Sequence, residues 1–175
     1  MILLGFLAKF LPEAKALLME IFYAEIMSGG LKLINELAID FAGREMVEVL
    51  KLFLKEENYP IAFYCTAGKD RTGLIAMLLL SVLGATDEEI VQDYQISDSV
   101  YRTSKSAGNA GLDLPEQQRE EVEKEAEQIN PFLRATPDII LHVLAYTRRL
   151  HGSIPKYLER NGFDKTAQNR LRSVP

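Results

Sequence analysis

The chain contains 175 residues, of which 47% are hydrophobic and 26% are charged. This is enough for one hydrophobic core but hardly for two, so we expect a single domain over residues 1–175. The 20 lysine and arginine residues against 25 aspartate and glutamate residues give a net charge of -5, which argues against nucleic acid as a partner. The single cysteine, Cys65, excludes an internal disulfide and a four-cysteine zinc site and fits a reducing compartment.

The apolar stretches are too short to cross a membrane. Residues 1–11 lack a basic leader and a small-residue cleavage site, and the longest uncharged run, residues 72–86, spans about fifteen residues where a membrane helix needs about 20. We therefore expect a cytoplasmic protein without an integral membrane segment.

The first third of the chain has helical periodicity. Apolar residues recur at helical spacing over residues 13–27, and Gly29-Gly30 is predicted to end this helix. A second helical pattern covers residues 31–57, with Gly43 as a break.

A short apolar and β-prone run, residues 61–64, is predicted to be a buried strand, with residues 2–6 as a candidate partner. A strongly apolar helix over residues 72–83 follows and ends at Gly84. Thr86 and Glu89 have the spacing of a capping box, which predicts the start of the next helix.

The composition changes to Ser, Gly, Asn and Ala over residues 103–113, which predicts a mobile connection. Residues 115–129 form an acidic helical pattern with a weak apolar stripe. Residues 103–130 are therefore either a movable lid or a solvated surface helix. Thr136 is predicted to cap a further helix that Gly152 ends, and two short helices follow.

The residues between the predicted strand and the apolar helix carry the chemistry. A tight loop before a helix N-terminus exposes backbone amides, and the helix dipole adds positive potential, so this arrangement binds anions. Gly68 lets the backbone approach an oxyanion, and Arg71 can hold two phosphate oxygens. Cys65 at the loop's start would face the phosphorus as a nucleophilic thiolate.

Two neighbouring side chains complete this chemistry. The Thr72 hydroxyl can donate to the sulfur when it leaves, and Asp70 is the nearest carboxyl that could serve as general acid. The loop is not a nucleotide-binding Walker A motif, because the required first glycine is absent and Asp70 stands where Ser or Thr would bind magnesium. His142 and His151 have no nearby cysteine, so we expect no metal site and no cofactor.

The loop resembles that of the Cys-x5-Arg phosphatase superfamily, specifically the tyrosine and dual-specificity phosphatases with the loop Cys-x-x-Gly-Lys-Asp-Arg-Thr, which also act on phosphoinositides. The matching residues are Cys65, Ala67, Gly68, Lys69, Asp70, Arg71, Thr72 and Gly73. Residues 90–97 resemble the family's Ile-x-x-Asp-Tyr-x-x-Ser element, and residues 152–158 resemble its Gly-Ser-x-x-x-Tyr-Leu ending.

The resemblance implies an α/β, protein tyrosine phosphatase-like fold, here mostly helical with a reduced central sheet. It implies a phosphatase that hydrolyses phosphoproteins or phosphoinositides through a phosphocysteine intermediate. By the resemblance Cys65 is the nucleophile, Arg71 the phosphate clamp, and Asp70 the candidate acid. The residues implied in substrate binding are Thr66, Ala67, Gly68, Lys69 and Gly73. We expect Asp93 and Tyr94 to support the loop by hydrogen bonding.

Two departures favour an alternative, a weak or inactive phosphate-binding pseudophosphatase or a truncated fragment. The family places His before the nucleophile, where this chain has Tyr64. The sequence before residue 61 is almost wholly helical, so the remaining strands of the family's sheet, with the upstream loop that often carries a general acid, are expected to be missing. Asp40 precedes Cys65, but it lies in a helical pattern and is a poor candidate for that acid.

Overall fold

A computed structural model describes residues 12–108 and 135–174, and the side chains of residues 15–97 and 135–174. In these ranges the regular structure is helical. The helices are α1 (Pro12–Phe41), α2 (Gly43–Leu52), a short 3-10 turn (Glu56–Asn58), α3 (Asp70–Leu83), α4 (Asp87–Gly108), α5 (Pro137–His151), α6 (Ile154–Arg160) and α7 (Lys165–Ser173).

Helix α1 consists of two helical segments that meet at a kink at Gly30. The Gly30 backbone has φ 57° and ψ -150°, a left-handed conformation that glycine adopts without steric cost. The predicted end of the first segment at Gly29-Gly30 is confirmed, and a second helical segment follows from residue 31. The first segment exposes Phe22 and Tyr23, whereas the second segment buries Leu31 and Ile39.

Helix α3 is the centre of the packing. It contacts α1, α2 and α4 through α7, and it buries apolar side chains on most of its surface because neighbours surround it. The buried apolar residues are Leu74, Ile75, Met77, Leu78, Leu79 and Val82. Gly84 ends the helix with φ 92°, as predicted. Since the loop at residues 65–69 leads directly into α3, the core fixes one end of that loop.

The predicted strand over residues 61–64 is wrong for this structure. These residues have no strand assignment, and the described part of the chain contains no strand that could pair with them. An extended segment becomes a strand only when a neighbour accepts and donates its backbone hydrogen bonds. Phe63 still packs edge-on against Phe53, with ring centroids 5.4 Å apart. The proposed partner, residues 2–6, lies outside the described residues, and the reduced sheet stays a prediction.

Helix α4 begins with the predicted capping box. The Thr86 amide donates to Glu89 Oε2 at 2.7 Å, and the Glu89 amide donates to Thr86 Oγ1 at 3.2 Å. The helix continues to Gly108, so residues 103–108 are helical where the composition favours a connection without regular structure. Helix propagation adds one hydrogen bond per residue, which can outweigh a weak local preference for turns. Residues 109–130 of the predicted lid lie outside the described residues.

The C-terminal helices fold back onto α1. Tyr157 on α6 donates its buried hydroxyl to the Ile39 carbonyl at 2.9 Å, and Tyr146 on α5 donates to Asp40 Oδ2 at 2.7 Å. Thr136 is the N-cap residue of α5, as predicted, but its hydroxyl binds the Asp138 carboxylate and not a backbone amide. Across the described ranges, we find no helix whose length and apolar content would let it cross a membrane.

Candidate active site

The loop at residues 65–69 connects the extended segment to the N-terminus of α3. Gly68 has φ 63°, a left-handed conformation that favours glycine, and its amide donates to the Cys65 carbonyl at 3.2 Å. This turn folds the loop back over the first turn of α3. Amides at a helix N-terminus lack partners within the helix, so the loop and helix together present donors to an anion.

The Cys65 thiol is an acid of unusual strength. Partial burial by itself raises the pKa of this thiol, but hydrogen bonds from the Thr72 hydroxyl and from the amides of Thr72, Lys69 and Ala67 lower it by more. The pKa of Cys65 consequently lies at about 6, below that of an ordinary thiol. At neutral pH the side chain is mostly a thiolate, the form that attacks electrophiles.

Thr72 contacts Cys65 twice. Its Oγ1 accepts a hydrogen bond from the Cys65 amide at 2.9 Å, and its hydroxyl donates to the cysteine sulfur. The donation to sulfur agrees with the geometry expected from the sequence. The contact to the Cys65 amide was not predicted, because no local pattern marks a hydrogen bond between a loop amide and a helix side chain.

Arg71 lies on the exposed side of the loop. Its NH2 group donates to Thr66 Oγ1 at 3.0 Å, so the guanidinium reaches back toward the residue that follows Cys65. A planar guanidinium can exchange a neutral hydroxyl partner for two oxygens of a phosphate, with a gain in charge. Thr66 and Ala67 are also exposed, so this side of the loop is open to a ligand.

The Lys69 side chain, which is expected to contact substrate, is buried beside Asp70. It is only 2% exposed, and its Nζ lies 3.4 Å from Asp70 Oδ1. A buried ammonium is costly unless a partner offsets its charge, which explains the pairing. The charge of Lys69 is thus directed to Asp70 beneath the loop, while the Asp70 carboxyl remains partly exposed.

Gly73 and Tyr94 form the floor of the site. A Cβ atom added to Gly73 would lie 2.6 Å from Tyr94 Cδ2 and Cε2, so the Tyr94 ring packs directly on the glycine backbone. Tyr94 is 3% exposed, and its hydroxyl donates to Asp70 Oδ1 at 3.2 Å. This contact matches the loop support expected of Tyr94. Gly73 is buried under that ring, and its expected part in substrate binding stays a prediction.

Other candidates lie away from the loop. Asp93 is exposed. Asp40 accepts from Tyr146 on α5, and His142 lies 2.6 Å from Glu36. Within the described residues, no group of three or more His, Cys, Asp or Glu side chains is placed to hold a metal ion. Tyr64 is 85% exposed, so its ring does not support the loop from below.

Comparison with known proteins assigns this site to a family. A sequence model described as "Tyrosine phosphatase family" matches residues 13–174, a range that includes the whole loop and every described helix except the first residue of α1. The chain belongs to the tyrosine phosphatase family. The motifs around Cys65 and at residues 90–97 both lie within the range that matches this phosphatase family.

Two relatives illustrate how far the similarity extends. This phosphatase-family chain is 35% identical to a tyrosine-protein phosphatase of Nostoc commune over 89 residues, which are 44% of this chain and 30% of the relative. It is 32% identical to the triple specificity protein phosphatase PtpB of Mycobacterium tuberculosis over 124 residues, which are 66% of this chain and 43% of the relative. The chain thus spans less than half the length of these relatives.

Proposed function

We propose that this chain is a cysteine-dependent phosphatase that hydrolyses phosphomonoesters through a phosphocysteine intermediate. The observation that carries the proposal is the Cys65 thiol with a pKa of about 6 at the N-terminus of α3. A thiolate surrounded by amide donors is both a nucleophile and part of an anion site. Membership of the tyrosine phosphatase family supports this chemistry.

In the first step the Cys65 sulfur attacks phosphorus, an S–P bond forms and the P–O bond to the leaving group breaks. Arg71 and the loop amides hold the nonbridging oxygens, whose charge changes most during the transfer. Asp70 gives a proton to the leaving oxygen, so that an alcohol or phenol departs in place of an alkoxide or phenoxide.

In the second step a water molecule attacks phosphorus and displaces the sulfur. Asp70 takes a proton from this water, and the Thr72 hydroxyl stabilises the departing thiolate through the donation described above. Inorganic phosphate leaves and the thiolate is restored. Nucleophile, anion donors and proton carrier all come from the chain, so this mechanism uses no metal or cofactor.

The substrates we propose are proteins phosphorylated on tyrosine, serine or threonine, with phosphoinositides as a further class. Relatives called a tyrosine-protein phosphatase and a triple specificity protein phosphatase support the protein substrates. The burial of Lys69 removes a cation that would have favoured multiply charged headgroups. Turnover of a phosphotyrosine peptide compared with that of soluble phosphoinositides separates the two classes.

Hydrolysis of para-nitrophenyl phosphate tests the function directly. The wild-type chain should release phosphate, and Cys65→Ser should not, because a serine hydroxyl is far less acidic than the thiol. A rapid acid quench of the wild-type reaction should trap phosphate on Cys65. Equal turnover by the two proteins would refute the proposal.

A second candidate function is phosphate binding without turnover. The observation that favours it is Tyr64, whose exposed ring cannot order the loop from below, so the loop would bind an oxyanion without holding the reacting atoms in place. Calorimetric binding of inorganic phosphate by a wild-type chain that releases no more product than Cys65→Ser would establish this alternative.

A further inference from the structure

Two donors meet on one oxygen of Asp70. Lys69 Nζ lies 3.4 Å from Asp70 Oδ1, and the Tyr94 hydroxyl donates to the same oxygen at 3.2 Å. The Asp70 residue itself is the first of α3, directly beneath the loop. Among the described residues, therefore, the recorded polar contacts of this carboxyl fall on Oδ1, and Oδ2 is the oxygen left for a ligand or water.

Packing fixes the position of the Tyr94 hydroxyl. The residue is 3% exposed, and its ring rests on Gly73 so closely that a Cβ atom there would collide with it. Tyr94 belongs to α4, while Asp70 belongs to α3. A rigid ring between two packed helices has little freedom, so it can hold the carboxyl at one angle with little further loss of entropy.

We propose that Tyr94 is a positioning residue that acts through Asp70. Lys69 contacts the same carboxylate oxygen and helps to hold it. Because Oδ1 already accepts from both, the exchangeable proton of Asp70 resides on Oδ2. That oxygen donates to the leaving group in the first step and accepts from water in the second. This proposal rests on the proposed function and adds a defined role for a residue distant from the loop in sequence.

The role has a kinetic signature. Because Tyr94 acts through Asp70 in this proposal, its loss should change proton transfer without weakening oxyanion binding. We expect Tyr94→Phe to lower kcat for phenyl phosphate roughly three- to tenfold, the effect of about one hydrogen bond, with KM unchanged. The loss should be smaller for para-nitrophenyl phosphate, whose leaving group needs less protonation. Inhibition by vanadate should stay the same, because the loop donors remain.

Tyr157→Phe is the matched control. Tyr157 is also a buried tyrosine with its hydroxyl bonded, but its partner is the Ile39 carbonyl at 2.9 Å and not a residue of the loop. This variant should keep the wild-type kcat for both substrates. An equal loss of activity in Tyr157→Phe would show that removing any buried hydroxyl slows the enzyme, and it would overturn the positioning role.

A double variant completes the test. In an Asp70→Asn background, Tyr94→Phe should cause no further loss for phenyl phosphate, because the residue it acts through is already changed. A full additional loss there, or a weaker vanadate inhibition in Tyr94→Phe, would mean a purely structural role and overturn the inference while the proposed function stands. Wild-type turnover no higher than that of Cys65→Ser would instead refute the proposed function, and the positioning role with it.

Discussion

Cys65 and Thr72 are joined by two hydrogen bonds that run in opposite directions. The Cys65 amide donates to Thr72 Oγ1 at 2.9 Å, and the Thr72 hydroxyl donates to the Cys65 sulfur. Because Thr72 Oγ1 accepts the hydrogen bond from the Cys65 amide through a lone pair, the hydroxyl proton of Thr72 can point at the Cys65 sulfur. One threonine therefore both closes the loop onto α3 and stabilises the thiolate.

This pair predicts the pH dependence of cysteine reactivity. The thiolate fraction of the wild-type chain should rise through a midpoint near pH 6, so alkylation by iodoacetamide should approach its plateau just above neutral pH. Thr72→Ala removes a donor that lowers the pKa, and its midpoint should move upward, whereas Thr72→Ser keeps the hydroxyl and should stay near the wild type. The rate of alkylation against pH measures both. An unchanged midpoint in Thr72→Ala would contradict the role of this hydroxyl.

Arg71→Lys should lower kcat strongly, although the substitution retains the positive charge. A lysine cannot form two parallel hydrogen bonds to phosphate oxygens, and loss of one donor to a developing oxyanion costs about 10²- to 10³-fold in kcat. Steady-state hydrolysis of para-nitrophenyl phosphate gives the comparison. Thr66→Ala removes only the resting partner of Arg71 and should retain most activity. Similar rates for Arg71→Lys and the wild type would rule out the clamp.

Gly68→Ala and Gly73→Ala should both lower the free energy of unfolding, but for different reasons. Gly68 has φ 63° with no atom within 4 Å of an added Cβ, so alanine there costs about 1–2 kcal/mol of backbone strain. At Gly73 the added Cβ meets the Tyr94 ring at 2.6 Å, so the ring must move, and overpacking of this kind costs about 1–3 kcal/mol. Urea unfolding measures both stabilities. Only Gly73→Ala should also mimic the Tyr94→Phe kinetics, and wild-type kinetics in that variant would contradict the contact.

Low pH should remove the contribution that the ion pair between Asp87 and Arg148 makes to the stability of the fold. Arg148 holds both carboxylate oxygens of Asp87, at 2.5 and 2.6 Å, and these hydrogen bonds lower the pKa of Asp87. A carboxyl with a depressed folded-state pKa stabilises the fold above its unfolded pKa of about 3.9, and this contribution disappears as the pH falls through the folded value. Both side chains are partly exposed, so the gain is modest, at most about 1 kcal/mol.

Asp87→Asn tests this contribution. The variant should unfold more readily than the wild type at pH 7, and the difference should shrink as the pH falls below about 4. Urea unfolding at a series of pH values gives the comparison. A difference that persists at the lowest pH would show that the carboxylate charge is not the cause.

Core packing around α3 should respond to burial and not to residue type. Leu78 is 0% exposed whereas Leu141 is 44% exposed. Leu78→Ala should cost about 2–5 kcal/mol of unfolding free energy, because it leaves a cavity, and Leu141→Ala should cost about 0.5 kcal/mol or less. The midpoints of urea unfolding compare them. Equal losses would mean that α3 is not the centre of the core.

The sequence predicted well those features that depend on neighbouring residues. The ends of α3 and α5 at Gly84 and Gly152 and the capping box of α4 follow from short-range geometry, and each is confirmed. The donation from Thr72 to Cys65 belongs to the same class, because the loop spans few residues.

Features that depend on distant contacts were harder to predict. The run at residues 61–64 has strand composition, but a strand needs a partner that no local pattern supplies. The burial of the Lys69 side chain beside Asp70 was not predicted. The packing of the Tyr94 ring on Gly73 depends on how α4 crosses α3. That crossing is determined by the packing of the whole core.

The contacts between α1 and α5 join side chains 106 positions apart, Glu36 with His142 and Asp40 with Tyr146. During translation at about 5–20 residues per second, α1 would leave the ribosome on the order of 5–20 seconds before its partner helix is made. For that time the apolar residues of α1 that later enter the core, such as Ile39, have no α5 to cover them. Until α5 is made, the nascent chain therefore exposes apolar surface of α1 that the folded protein covers.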